Sequence, residues 1–194
     1  MENNLEETVF RYKQKVIKGV FCDLIPIREI DLKDIVVLRN QERNKYYLHQ
    51  ETDITLDQQI LWYQQYSEKK DDIYWGIHSK RGKLVGTIRL YDIREGYCEE
   101  GSCIIDERYA KEAPYAIEAK YLTIRFAFET LCLKQMINEN KADNKVMNSL
   151  SKQLGFEKIK TVTIRGAEFN YLVLTPEQFQ EEKVNRILNY WTER

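Results

Sequence analysis

Residues 101–119 read Gly101-Ser102-Cys103-Ile104-Ile105-Asp106-Glu107-Arg108-Tyr109-Ala110-Lys111-Glu112-Ala113-Pro114-Tyr115-Ala116-Ile117-Glu118-Ala119. Ser102 to Asp106 is a short apolar run closed by a charged turn over Glu107 to Ala113, and it reads as a strand. Pro114 then opens an apolar-periodic segment through Phe126, Phe128 and Leu131. Proline suits the first helical position, where the missing N–H has no partner to lose. A second strand, Gln135-Met136-Ile137-Asn138, leads to Asn144 and to a helix that stops at Gly155-Phe156. The order is a βαβα unit. Its turn into the first helix offers unpaired N–H groups and the positive end of a helix dipole, which suits a phosphate. Read alone, Pro114 does no more than start a helix.

Upstream, Gly19 to Ile27 reads as a strand, with Pro26 marking its end or a sheet edge. Asp31 is the N-cap expected for a helix through Ile35, Val36 and Leu38, and Thr55 for one over Leu56 to Tyr63. Asp72 to Ser79 and Leu84 to Tyr91 form a hairpin around Lys80-Arg81-Gly82-Lys83. Gly86 in mid-strand marks a bulge or a close backbone approach. A third antiparallel strand starts near Tyr97 and carries Glu99 and Glu100 into Cys103-Ile104-Ile105. Downstream, strands over Glu157 to Ile164 and Glu168 to Leu174 flank an Arg165-Gly166 turn. Pro176 is expected to start a last helix whose apolar face is Phe179, Val184, Ile187, Leu188 and Trp191. The fold class is therefore α/β (α+β): a mixed, mostly antiparallel central sheet flanked by helices, with a C-terminal helical extension. The expected organisation is an N-terminal extension over 1–18, a main domain over 19–174 and a terminal helix over 175–194, which packs on the domain or mediates a homodimer.

The 194 residues suffice for one domain with a real core, and 43% hydrophobic against 31% charged content fits a globular protein. A net charge of −1 favours neither nucleic acid nor an anionic membrane. Cys22, Cys98, Cys103 and Cys132 form no CxxC pair and lie far in sequence from His49 and His78, so no metal site is expected. The cysteine usage, the acidic start Met1-Glu2-Asn3-Asn4-Leu5-Glu6-Glu7 and the lack of a ~20-residue apolar run point to a cytoplasmic protein without a membrane span.

The 101–156 stretch resembles the acetyl-CoA-binding core of the GCN5-related N-acetyltransferases, in particular the branch of ribosomal-protein N-terminal and nucleotide-amino-sugar N-acetyltransferases. Where that branch carries a glycine-bearing pyrophosphate turn, this chain has Lys111-Glu112-Ala113-Pro114-Tyr115-Ala116, with Glu112 and Pro114 at the glycine positions. The helix then ends Arg125-Phe126-Ala127-Phe128-Glu129-Thr130-Leu131, and Asn144 stands eleven residues before Gly155-Phe156, as in the family. Arg39-Asn40 and Trp62-Tyr63 match the amino-sugar branch, whose usual histidine is Gln59 here. The resemblance covers residues 22–174 and implies the following.

Acetyl-CoA is the co-substrate. Its diphosphate lies on Lys111, Glu112, Ala113, Pro114, Tyr115 and Ala116, and its pantetheine along Cys103, Ile104, Ile105 and Asn144. The acceptor is a small-molecule amine held by Arg39, Asn40, Gln59, Trp62 and Tyr63, and an amino-sugar nucleotide is favoured. Gln59 hydrogen-bonds a substrate but relays no proton as a histidine does. The amine attacks directly in a ternary complex. Glu100 is the expected base, with Glu99 its rival, because alternate strand residues face opposite sides. Ser151 stands where many relatives have a tyrosine that protonates the leaving thiolate. Read from the residues alone, Arg39-Asn40 equally ends a helix, Trp62 fills a core, Asn144 caps a helix, and both glutamates lie on a solvated edge. Transfer to a protein N-terminus, and a degenerate fold that binds ligand without turnover, remain as alternatives.

Overall fold

The computed structural model describes residues 5–193, so Met1 to Asn4 of the acidic start lie outside the described residues. The chain forms α1 (Leu5–Tyr12), β1 (Ile17–Lys18), β2 (Cys22–Pro26), α2 (Leu32–Arg39), α3 (Glu42–Tyr47), α4 (Leu56–Glu68), β3 (Ile73–Ser79), β4 (Leu84–Arg94) and β5 (Tyr97–Ile105). It continues with α5 (Tyr115–Arg125), β6 (Gln135–Lys141), α6 (Lys145–Leu154), β7 (Glu157–Ile164), β8 (Ala167–Leu174) and α7 (Glu181–Thr192). The strands make one eight-stranded sheet in the order β1-β2-β3-β4-β5-β6-β8-β7. Every pairing is antiparallel except β5 with β6.

Helices cover both faces. On one face Val9 of α1, Ala119 and Ile124 of α5, Leu154 of α6 and Val184 of α7 are fully buried against Trp75, Ile88, Leu90 and Met136. On the other, Leu32 and Ile35 of α2 and Tyr66 of α4 pack on Tyr74 and Ile27. Burial on this scale, at ~25 cal/mol per Å² of apolar surface, is the main force holding the layers together.

Several boundaries fall where the sequence places them. Thr55 caps α4: its hydroxyl accepts from Gln58 N at 3.2 Å, and the Gln58 side chain accepts from Thr55 N at 2.8 Å. Gly155, at φ 105°, ends α6 in the left-handed conformation that a side chain disfavours. Gly86 is the close approach expected of it, since a Cβ there would lie 2.3 Å from the Ile104 carbonyl oxygen of β5.

Other elements differ from expectation. Asp31 stands at the N-cap position of α2, as expected, but its side chain makes no capping hydrogen bond there. Its carboxylate is drawn into a preceding 3-10 turn, Glu29–Asp31, where it accepts from Arg28 N at 2.9 Å and Arg28 Nε at 3.2 Å. Pro114 is the N-cap of α5 and not its first helical residue, and α5 runs only to Arg125 before a π turn, Phe126–Thr130. Pro176 lies in a turn closed by Gln178 N on Thr175 O at 3.1 Å, so α7 begins later, at Glu181. The short helix α3 has no apolar period to announce it. The 1–18 extension divides: α1 packs on the body, and β1 joins the sheet edge.

One buried acid ties the sheet edge to the helical layer. Glu118 of α5 is 1% exposed, and its carboxylate accepts from the N–H groups of Val20, Phe21 and Cys22 at 2.6, 2.8 and 2.7 Å. Glu118→Gln points an amide at donors that need acceptors. It is expected to cost ~2–3 kcal/mol, read as a lowered midpoint of urea unfolding with little change of slope.

Candidate active site

The decisive feature is where β5 and β6 part. Their pairing runs from Tyr97 with Gln135 to Glu100 with Asn138 and then stops. Beyond it β6 continues beside β8 to Lys141, and β5 continues beside β4 to Ile105. From Gly101 onward, β5 therefore has an edge with no strand on the β6 side. Ser102 marks the departure. It has φ 49°, and the register with β4 slips between Thr87 and Arg89. The bulge is held by Thr87 Oγ1, which donates to Ser102 O at 3.0 Å.

A groove of about 620 Å³ opens at this split and runs between α5 and α6. Of the sequence-derived cofactor residues, Cys103, Ile104, Ile105, Ala113, Pro114, Tyr115, Ala116 and Asn144 line it. Lys111 and Glu112 do not: both are exposed, and Glu112 N is turned onto Tyr109 O at 3.0 Å. The α5 hydrogen-bond ladder begins with Glu118 N on Pro114 O at 3.0 Å, so the N–H groups of Ala116 and Ile117 precede it at the groove wall. Arg43 and Lys145 are the only charged side chains among the described residues lining the groove. Asn144 caps α6 with Oδ1, accepting from Met147 N at 3.2 Å, so the capping reading of this residue holds while it lines the groove. Cys103 is the thiol in the wall, and burial pushes its pKa up to about 12, which keeps it protonated and a poor nucleophile.

Strand alternation separates the two glutamates. Glu100 turns toward α5, where both carboxylate oxygens bond Lys120 Nζ at 2.7 and 2.6 Å and both side chains are 0% exposed. Asn138 Nδ2 adds bonds to Glu100 O at 2.9 Å and Oε1 at 3.2 Å. The carboxylate is thus closed off from any incoming amine. Ser151 is also fully buried. It accepts from Asn140 Nδ2 at 3.1 Å and sits 3.5 Å from Asn138 Oδ1, behind the groove wall.

Glu99 lies on the opposite face. It is half-buried, pairs across the sheet with Tyr91 and accepts from Tyr97 Oη at 2.6 Å. Burial and then Glu99 raise the pKa of both phenols, keeping them protonated. Glu139 and Tyr171, paired between β6 and β8, continue the patch. Partial burial, and then Glu99, raises the Glu139 pKa. Sequence reading missed Tyr91, Tyr97, Glu139 and Tyr171. Alternation from Glu99 along each strand was the signal that points to them.

The same face holds a second cavity of about 190 Å³, at the Ser102 bulge, which brings together Arg39, Gln59 and Trp62. Gln59 is 6% exposed, and Arg39 is half-buried. Arg89 lines the cavity too but is committed to Asp72, with Nε to Oδ1 at 2.8 Å and a second bond from Nη2 to Oδ2. Asn40 and Tyr63 do not join the cavity. Asn40 pins the following loop, donating to Ile54 O at 2.8 Å and accepting from Ile54 N at 3.0 Å. Tyr63 lines a different hollow beside Tyr66.

The family model for an acetyltransferase (GNAT) domain matches residues 23–157. The chain belongs to the GNAT acetyltransferases. Solved structures of similar fold include a GCN5-related N-acetyltransferase from Brucella melitensis (18% identity, 92% of this chain and 85% of that one, TM-score 0.73). FdhC, a nucleotide-linked sugar GNAT in its apo form, is 24% identical over 89% of this chain and 97% of its own (TM-score 0.74). Spermidine N-acetyltransferase from Vibrio cholerae, in complex with CoA and spermine, is 15% identical over 82% and 98% (TM-score 0.75). No protein of curated function matches the sequence.

As a GNAT the protein is an acetyl-CoA-dependent N-acetyltransferase, and the groove fits that co-substrate. It supplies an unpaired strand edge for an amide-bearing arm, free helix N–H groups and two cations for a diphosphate, and no lining carboxylate. The glycines absent from the turn do not close it. Among the described residues no helix is long and apolar enough to cross a membrane.

The ion pair behind the split carries its own test. Lys120→Met strands a buried carboxylate and is expected to cost ~3–5 kcal/mol in urea unfolding. The double variant Lys120→Met with Glu100→Gln should recover most of that loss, because both charges are then gone.

Proposed function

We propose that this GNAT acetylates the primary amine of a small substrate that also carries an anionic group, a nucleotide-linked amino sugar being the favoured class. The single observation behind this reading is the polarity of the acceptor face. Glu99 and Glu139 stand among tyrosines at one side of the Ser102 bulge, and Arg39, with Gln59 and Trp62, lines the cavity at it. An amine directed to the carboxylates places a phosphate within the province of Arg39 and a ring against Trp62.

In this reading Glu99, and not Glu100, takes the amine proton, because Glu100 is locked to Lys120. Acetyl-CoA supplies the activated acyl group. The unpaired N–H groups of β5 near Cys103 offer donors to a developing oxyanion, and the high thiol pKa there favours direct transfer over an acyl-cysteine route. Ala116, Ile117, Arg43 and Lys145 hold the diphosphate. Ser151, one layer behind the groove, shapes the split through Asn138 and Asn140.

A polyamine acceptor is the second reading, favoured by Glu99 and Glu139 and opposed by Arg39. CoA release measured across amino-sugar nucleotides and spermidine decides between them: turnover of spermidine alone overturns the proposal. Arg39→Ala is expected to raise the acceptor KM about tenfold or more while leaving the acetyl-CoA KM in place, consistent with the loss of a charge-assisted contact. Glu99→Gln should lower kcat by ~10²–10⁴, the usual contribution of a general base.

A further inference from the structure

The last helix of the chain ends on the groove between α5 and α6. α7 lies past the segment that the family model matches, residues 23–157, and packs on both of those helices. Its start is tied to their far ends. Gln180 N donates to Leu154 O at 3.1 Å, at the end of α6. Tyr121 Oη, in the second half of α5, donates to Glu181 Oε1 at 2.9 Å, and Arg125 Nε lies 3.6 Å from the same oxygen. Val184 and Leu188 then bury against the core, 0% and 6% exposed. From Glu181 to Trp191 the helix rises ~15 Å, enough to return to the level of the first turn of α5. Trp191 is half-buried and lines the groove, as do Ala113 to Ile117 at that first turn.

We propose that Trp191 is the stacking surface for the adenine of acetyl-CoA. The inference rests on the groove being the acetyl-CoA site. The walls of the groove divide by chemistry. The unpaired edge of β5, Cys103 to Ile105, suits the amide-bearing arm, with the thioester at the strand split. The N–H groups of Ala116 and Ile117 suit the diphosphate. α3 stands on the side where the strands end: Arg43 Nη1 lies 4.0 Å from Glu107 Oε1, and Tyr46 bonds Asp143. The wall left over is one side of α6 together with Trp191. Val146, Leu150 and Gln153 recur at intervals of four and three residues, so they form a single stripe along α6, and Val146 is 61% exposed.

Aliphatic side chains and an indole on one groove wall fit a flat aromatic ring. Once the arm and the diphosphate are placed, the part of acetyl-CoA that remains is a nucleoside, and its base is such a ring. Every base has a face that stacks on an aromatic side chain. Gln153, the polar member of the stripe, carries both a donor and an acceptor, as the edge of an adenine requires. The indole is thus supplied by a helix outside the matched family segment, and it adds to the hold on the co-substrate without touching the reacting atoms.

The test compares two ligands on the full chain by calorimetry: CoA, and phosphopantetheine, which keeps the arm and one phosphate but lacks the nucleoside. The unaltered chain should bind CoA more tightly. Trp191→Ala should weaken CoA about tenfold, the size of a lost base–aromatic stack, and leave phosphopantetheine unchanged. The unchanged arm also shows that the groove of the variant is folded. Trp191→Phe, which keeps a ring, should retain most of the CoA affinity. CoA, and not phosphopantetheine, should quench tryptophan emission, and Trp191→Phe should lose that quench while still binding. Equal weakening of both ligands in Trp191→Ala, or weakening of neither, overturns the proposal. An unaltered chain that binds both ligands alike overturns this proposal only, whereas one that binds neither overturns the groove reading and this proposal with it.

Discussion

The fold turns on the point where β5 can no longer bond to β6. Past Glu100 and Asn138 the strands diverge, and a parallel pair that ends in mid-sheet leaves a row of backbone donors and acceptors unpaired. Such an edge is costly unless something satisfies it. The protein keeps it open with a polar brace. The Glu100–Lys120 pair, joined by Asn138, Ser151 and Asn140, sits in the wedge behind the split. A brace of this kind adds little net stability, since desolvation offsets much of the attraction. Its directed bonds hold β5, β6, α5 and α6 at set distances, which is what a groove between them requires.

The bulge at Ser102 is the second half of the same constraint. Gly86 lets β4 come against the Ile104 carbonyl, and Thr87 holds the Ser102 carbonyl, so β5 bends as it leaves β6. The bend puts Cys103 to Ile105 on the groove and Ser102 on the smaller cavity lined by Arg39, Gln59 and Trp62. Two hollows thus meet across one strand. The groove side carries Arg43, Lys145 and free helix amides, suited to a polyanion. The other side carries carboxylates and tyrosines near a cavity lined by an arginine. The turn lacks glycine, yet Lys111 and Glu112 face outward and the N–H groups of Ala116 and Ile117 stand at the groove wall.

Much of this was legible in the chain itself. The 101–156 stretch determined the βαβα unit, because apolar period, a proline and a helix-ending glycine are local signals that tertiary context rarely overrides. Thr55, Gly86 and Gly155 did what their chemistry predicts at their own positions. Local signals also misled: Asp31 found a nearer partner in Arg28, and Pro176 bent a turn without starting a helix, since a competing bond a few residues away was within reach.

What the sequence by itself could not determine is the direction of a side chain relative to a distant element. Glu99 and Glu100 are equivalent as letters, and only the packing of α5, which brings Lys120 to one face of β5, decides which carboxylate is locked and which is open. Arg39 and Asn40 are adjacent in sequence, yet one lines a cavity and the other pins a loop, because Ile54 happens to return beside it. Local bonding energies shape helices and turns and are written in neighbouring residues. Sites are made by contacts between residues far apart in the chain, and those exist only once the layers have packed.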